Sequence, residues 1–136
     1  LEPVARRWKT QLNENSKAWA FFEALPELNH NSVVGYPNPT PIAGSSFVAL
    51  LASPLLHPRH RLRIQVTQEL LERHGVAHQE LQGEGEGPLG HMMSLLLLGD
   101  YASYYLALLY GVDPTPVEVI NYLKERLVRH GLPAQP

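Results

Sequence analysis

The sequence contains no cysteine, and this absence excludes several kinds of chemistry. A disulfide framework, a thiol nucleophile and a zinc–thiolate site all require that residue. Charge is scarce as well: 11 Lys and Arg stand against 13 Asp and Glu, for a net charge of −2. Such a balance does not indicate a nucleic-acid-binding or membrane-surface protein. The missing thiols fit a reducing compartment, so we expect a cytoplasmic protein without nucleic-acid partners.

Residues 1–136 also show neither a signal-like start nor a long unbroken apolar run. Residues 1–3 do not start a basic-then-apolar signal and include no initiating Met, which suggests a fragment or a processed chain. The most apolar stretch, residues 92–110, carries Asp100 near its middle, and a charge there would be costly in lipid. We therefore predict a buried core helix in this stretch and no membrane partner.

What the chain does have is apolar material for a core: 44% of 136 residues are hydrophobic, enough for one domain over residues 1–136. Apolar spacing and end signals predict five helices, and the last of them is expected to be capped by Asp113 or Thr115. These helices cover residues 4–13, 17–25, 58–74, 89–110 and 116–129. The Pro-rich residues 36–41 are predicted to form an extended loop.

Two short runs predict strands, over residues 46–52 and 76–81. After Ser46 the first is apolar throughout, as is typical of a strand buried on both faces of a parallel sheet. In the helix between them, Leu62, Val66 and Leu70 form a stripe expected to face the core. Strands that alternate with helices indicate an α/β layer fold. Because two strands are few, we hypothesise that a first strand precedes Leu1 in a longer parent chain.

The pair Glu14 and His30 is the strongest candidate for chemistry. Glu14 lies between Asn13 and Asn15, and His30 lies between Asn29 and Asn31. A carboxylate and an imidazole can move protons on a small polar substrate, and asparagine side chains can orient them by hydrogen bonds. Alternatively, Glu14 is a solvated carboxylate at a helix end and His30 is a structural loop histidine.

Lys124 allows two interpretations of the same kind. It lies at the edge of the apolar stripe of the last helix, where a lysine commonly buries its stem and keeps its ammonium in water. The functional alternative is an ammonium that reaches a cleft and stabilises developing negative charge.

Two other patterns are rejected. Residues 85–90 match a dinucleotide-binding GxGxxG pattern, but Glu84 and Glu86 would repel a pyrophosphate. Two histidine pairs have spacings that could suggest metal ligands, yet Pro58 and Gly75 interrupt them and no carboxylate follows at ligand spacing. The pairs are His57 with His60 and His74 with His78. We predict neither a metal site nor a cofactor.

Four runs of residues together resemble a known family. They are residues 6–15 (RRWKTQLNEN), 27–31 (ELNHN), 98–101 (LGDY) and 105–114 (YLALLYGVDP). In matching order over nearly the whole chain, they resemble the C-terminal half of the bifunctional phosphoglucose/phosphomannose isomerases, which are built from two sugar-isomerase (SIS) domains. The resemblance implies a three-layer SIS-type α/β domain, with a parallel sheet flanked by helices that lacks its first strand here.

The resemblance also implies roles. Glu14 matches the base that moves a proton between C1 and C2 of a sugar phosphate through a cis-enediol, and His30 matches a ring-opening histidine contributed by the neighbouring subunit of a homodimer. Lys124 matches a lysine near the ring oxygen, and Thr115 is placed near the substrate. Asn13 and Asn29, beside the two motif centres, are taken as substrate-binding residues.

One departure from the family qualifies these implications. The family binds phosphate through Ser/Thr-rich turns and helix N-termini of its first SIS domain, and this sequence contains no matching loop. We therefore expect the N-terminal SIS domain of the parent chain as a partner, and little isomerase activity from these residues alone. Two alternatives remain: a non-catalytic SIS-like module that binds a sugar phosphate or dimerises, and a scaffold whose His30 loop is merely a subunit contact.

Overall fold

The fold is seen in a computed structural model that describes residues 1–130. In this part of the chain, helices outnumber strands, as the sequence predicts. The elements are α1 (Glu2–Glu14), two 3₁₀ turns (Glu27–His30 and Ser32–Gly35), α2 (Thr40–Ala43), β1 (Phe47–Ala52), α3 (Pro58–Arg73), β2 (Ala77–Gln82), α4 (Gly87–Leu109) and α5 (Glu118–Arg129). The predicted domain over residues 1–136 extends beyond the described residues.

The two strands form a parallel sheet in which Phe47 pairs with Ala77 and Ala52 pairs with Gln82. Parallel neighbours need a long crossover, and α3 supplies it. The core lies where α3 covers the sheet; its buried members are Ala43, Leu50, Ala52, Ile64, Leu71 and Val76. The predicted α/β class and both strands are confirmed, with each strand boundary within one residue of its predicted position.

The prediction that the stripe of Leu62, Val66 and Leu70 on α3 faces the core is wrong. Ile64, Thr67 and Leu71 are the buried residues, whereas Leu62 and Val66 are exposed. Thr67 is accepted in the core because its hydroxyl donates to the Arg63 carbonyl oxygen at 2.7 Å. The helix carries two parallel apolar stripes, and the one with a threonine faces the sheet.

The prediction that β1 is buried on both faces is also wrong for the described residues. Leu50 and Ala52 are buried, but Phe47 is 62% exposed and Ala49 and Leu51 are only partly covered. Within residues 1–130, β1 pairs with β2 and with no other strand, so one edge of the strand is unpaired.

Helix α1 docks on α4 along a stripe of small or buried residues. Gly99 lies beneath the Trp8 indole, and a Cβ atom at this glycine would overlap the ring. The indole Nε1 donates to the Leu95 carbonyl oxygen at 2.7 Å, and Arg7 forms an ion pair with Asp100 at 3.2 Å. These contacts fix α1 against α4.

Only one face of α4 is buried in the described part of the chain, so the prediction of a buried core helix holds for that face and is wrong for the other. The buried residues recur every fourth position: His91, Leu95, Gly99, Ser103 and Ala107. The outer face carries exposed Leu, Met and Tyr side chains. By length and composition α4 could cross a membrane, a test that core helices also pass; its inner face is the docking surface for α1.

Three local predictions differ from the structure. Residues 17–24 are not helical, because Lys17 adopts a positive φ of 55° and the backbone N–H of Ala20 is taken by the Asn13 side chain. The Pro-rich loop contains the short helix α2, which has a proline in its first turn, a position that suits proline. Helix α5 has Val117 at its N-cap and no side-chain cap from Asp113 or Thr115.

Candidate functional site

Glu14 is the last residue of α1 and its side chain is exposed. The helix reaches this point because its apolar residues are spaced for a helix and its middle docks on α4 through Trp8. The carboxylate has no hydrogen-bonding partner among the described residues. A solvent-facing carboxylate at a fixed helix end is available to accept a proton from a substrate carbon.

The asparagines on either side of Glu14 hold the backbone and do not bond the carboxylate. Asn13 Oδ1 accepts from the Ala20 N–H at 2.7 Å, and Asn15 Nδ2 donates to Ser103 Oγ at 2.9 Å. Buried Ser16 adds a bond from its hydroxyl to the Ser103 carbonyl oxygen at 2.7 Å. Glu14 therefore sits between anchors to α4 and to the following segment, which differs from the orientation expected from sequence.

Thr115 lies in the loop that reaches the same end of α1. The Lys17 ammonium donates to the Glu14 carbonyl oxygen and also to those of Pro114 and Pro116, the two neighbours of Thr115. The backbone at the predicted base is thus joined, through Lys17, to the backbone on both sides of the predicted substrate-binding threonine. Lys17 itself was missed at the level of sequence, where the available signal was a lysine just after a helix C-terminus, a position that favours bonds to the last carbonyls.

Asp113 shapes this loop. Its Oδ1 accepts from the Thr115 N–H at 2.8 Å, and this bond, together with the Thr115 side chain and the nearby charge of Lys17, lowers the pKa of Asp113 below its ordinary value of 3.8. A carboxyl whose pKa is lowered in the folded state stabilises that state above its unfolded pKa. This contribution is lost as the pH falls through the folded pKa, so the loop is held at neutral pH.

His30 ends the first 3₁₀ turn, where its side chain is exposed. The turn is fixed by buried Leu28 and by Asn29, whose Nδ2 donates to Thr67 Oγ1 at 3.0 Å and whose Oδ1 accepts from Arg63 at 3.4 Å. The His30 ring has no hydrogen-bonding partner among the described residues. Asn29 thus holds the turn on α3, and the imidazole faces outward.

Lys124 lies on α5, a helix with no buried side chain in the described residues. Neither Lys124 nor His30 forms an ion pair or a hydrogen bond with Glu14 within residues 1–130. The structure therefore joins Glu14 with Thr115 inside one chain, and it does not join them with His30 or Lys124.

The histidines rejected as metal ligands include two with structural roles. His57 Nδ1 accepts from the Arg59 N–H and caps α3, and the His78 ring bonds the Val76 carbonyl oxygen. Within residues 1–130, no three His, Asp or Glu side chains converge as metal ligands would.

The buried His91 holds the glycine-rich loop that matched the dinucleotide pattern. Its Nε2 lies 3.1 Å from the Gly85 carbonyl oxygen, which can only accept, so Nε2 carries the proton. Nδ1 then accepts from the Ser53 hydroxyl at 2.8 Å. These two bonds tie the loop to the carboxyl end of β1.

Comparison with known proteins gives a consistent result. The family described as "Bacterial phospho-glucose isomerase C-terminal SIS domain" matches residues 1–127. Bifunctional phosphoglucose/phosphomannose isomerases are similar: that of Aquifex aeolicus is 44% identical over 93% of this chain, and that of Caldicellulosiruptor bescii is 41% identical over 93%. The Thermoplasma acidophilum protein is 36% identical over 91%. The chain spans 39%, 37% and 38% of these relatives, in the same order.

Proposed function

Because this chain belongs to the bacterial phosphoglucose isomerase C-terminal SIS domain family, we propose that it is the C-terminal part of a sugar-phosphate isomerase. The proposed reaction interconverts glucose 6-phosphate or mannose 6-phosphate with fructose 6-phosphate. It needs no metal or cofactor, and we propose the cytoplasm as its location. The similarity to relatives named for both isomerase activities supports this proposal.

The observation that carries the proposal is the exposed Glu14 carboxylate beside the Thr115 loop. In the proposed reaction, Glu14 removes the proton from C2 of the open-chain aldose, and the electrons of that C–H bond form the C1–C2 double bond. The electrons of the C1=O1 double bond move to O1, which takes a proton from water to give a cis-enediol. The protonated Glu14 then delivers its proton to C1, where the electrons of the C1–C2 double bond form the new C–H bond, while the C2 hydroxyl loses its proton to water and becomes the ketone. One carboxylate can serve both steps because C1 and C2 are adjacent.

Ring opening requires a separate acid and base near the ring oxygen, and we assign it to His30 of a second subunit. Its imidazole is exposed and unbonded in the described residues, and it does not bond Glu14 of its own chain. A two-fold symmetric homodimer would place the His30 turn of each subunit over the Glu14 site of the other. Lys124 would stabilise negative charge that develops on the substrate oxygens.

Mixing two inactive proteins tests the shared site. Glu14→Gln and His30→Ala variants are each expected to be inactive as homodimers. After the two are unfolded and refolded together, half of the dimers contain one chain of each kind, and each such dimer has one intact site, so activity should return to about a quarter of wild type for a two-fold dimer. Refolded single variants are the controls. Activity that stays absent in the mixture would contradict a site shared between subunits.

The remaining length of the relatives suggests where the substrate phosphate binds. We propose that an N-terminal SIS domain supplies the phosphate site, whose binding energy holds C1 and C2 against Glu14. The full-length protein should convert fructose 6-phosphate to both aldose phosphates, and residues 1–136 alone should be slower by at least about 100-fold, since remote binding energy is lost. Equal turnover by the two proteins would contradict the proposed division of roles.

The turnover assay, together with thermal unfolding, distinguishes the isomerase from the non-catalytic alternatives. A module that only binds a sugar phosphate would be stabilised against thermal unfolding by fructose 6-phosphate, yet would give no aldose products. A pure dimerisation module would show neither stabilisation nor turnover.

A further inference from the structure

Lys17 joins two segments that are far apart in the sequence. Its Nζ donates to the carbonyl oxygens of Glu14 at 2.6 Å, Pro116 at 2.8 Å and Pro114 at 3.3 Å. An ammonium has three N–H donors, so these three acceptors use its full capacity. One of them ends α1, and the other two flank Thr115.

The backbone of Lys17 is shaped for this contact. Its φ of 55° lies in the left-handed region, which residues other than glycine and asparagine rarely adopt. Such a conformation persists where the surroundings hold it, and it is frequent at functional sites. Here it turns the chain back at the end of α1, where the final carbonyl groups have no partner within the helix.

Little else secures the segment that Lys17 holds. Among the hydrogen bonds of the described residues, those from Lys17 are the only ones that connect residues 113–130 to the rest of the fold. Helix α5 adds no buried side chain. Among the described residues, all the hydrogen bonds that fix the Thr115 loop to the rest of the fold therefore come from a single ammonium, beside the partly buried Pro114 and Val117.

We propose that Lys17 is a positioning residue of the sugar-phosphate site: it fastens the Thr115 loop to the helix end that presents Glu14. This inference rests on the proposed function, and it assigns Lys17 no contact with the substrate. Loss of the ammonium should loosen the loop, so that substrate binds less tightly while the base itself remains in place. The lowered pKa of Asp113, to which the Lys17 charge contributes, agrees with this proximity.

The test compares four variants of the full-length protein by hydrogen–deuterium exchange and by steady-state kinetics. Lys17→Met removes the donors, Lys17→Gly removes them and keeps a backbone that favours positive φ, and Lys17→Arg retains charge and donors. Lys9→Met, on α1, is the control. We expect the methionine and glycine variants to exchange the amides of residues 113–121 about 10-fold faster and to show KM raised about 10-fold with kcat changed much less.

Lys17→Arg should restore both quantities in part, and Lys9→Met should match wild type. Unchanged exchange in the methionine and glycine variants would overturn the tether. Faster exchange with unchanged KM would overturn the role of the loop in substrate binding. If the wild-type protein had no isomerase activity, the proposed function would fail instead, and the exchange data would still support or overturn the tether.

Discussion

Glu14→Gln in the full-length protein is expected to lower kcat for fructose 6-phosphate by about three orders of magnitude, in the middle of the range for loss of a positioned acid–base group. The amide has nearly the shape of the carboxylate but cannot accept the proton from carbon. Because Glu14 is exposed and its side chain has no partner in the described residues, the free energy of unfolding should change by less than about 0.5 kcal/mol. Coupled spectrophotometric assays and urea titration measure the two quantities.

The matched control is Glu72→Gln, an equally conservative change of an exposed glutamate on α3. It should leave kcat unchanged. A Glu14→Gln protein that retained wild-type turnover, with its fold intact, would remove Glu14 from the reaction.

Gly99→Ala is expected to have the largest effect on stability. Alanine raises helix propensity by about 1 kcal/mol over glycine, which alone would stabilise α4. The added Cβ, however, would overlap the Trp8 indole, so either the ring leaves its place or α1 moves away from α4. Overpacking of this kind costs about 1–3 kcal/mol, and the bond from Trp8 to the Leu95 carbonyl is strained or lost as well. We expect a net loss of about 2 kcal/mol, measured by urea unfolding.

Two further variants make this result specific. Gly35→Ala, at a glycine with nothing within 4 Å of an added Cβ, should change stability little. In a double-mutant cycle, Trp8→Leu combined with Gly99→Ala should lose at least about 1 kcal/mol less than the sum of the single changes, because the smaller side chain makes room. Strictly additive losses would show that Trp8 and Gly99 do not meet across this interface.

The sequence predicted the long helices well because their signals are local. Helices α1, α3 and α4 lie within two residues of their predicted ends, where apolar spacing, prolines at helix starts and Gly75 after α3 provide the evidence. The helix predicted over residues 17–25 was wrong because the Asn13 side chain binds the backbone N–H of Ala20, seven positions away. No apolar pattern in the sequence records such a contact. The prediction of which residues of α3 face the core was wrong because the helix has two apolar stripes, and either could cover the sheet. The stripe that does so contains Thr67, whose partner Asn29 lies in a distant turn.

The candidate site shows the same difference between local signals, which the sequence reveals, and long-range contacts, which it does not. Glu14 and His30 were found from their residue types and their motifs. The link between Glu14 and Thr115 was not, because it runs through Lys17 to carbonyl groups 97 and 99 positions further along the chain. A contact made by backbone oxygen atoms leaves no trace in residue identity, since every residue has the same carbonyl group.

The most direct test is a crystal structure of the full-length Glu14→Gln protein with fructose 6-phosphate bound, since loss of the base should leave the substrate unreacted. The account predicts C1 and C2 of the sugar about 3–3.5 Å from the side chain at position 14, as proton transfer requires. It also predicts the imidazole of His30, contributed by the second subunit, within hydrogen-bonding distance of the ring oxygen. Position 14 and His30 on separate surfaces, with the sugar phosphate near neither, would contradict it.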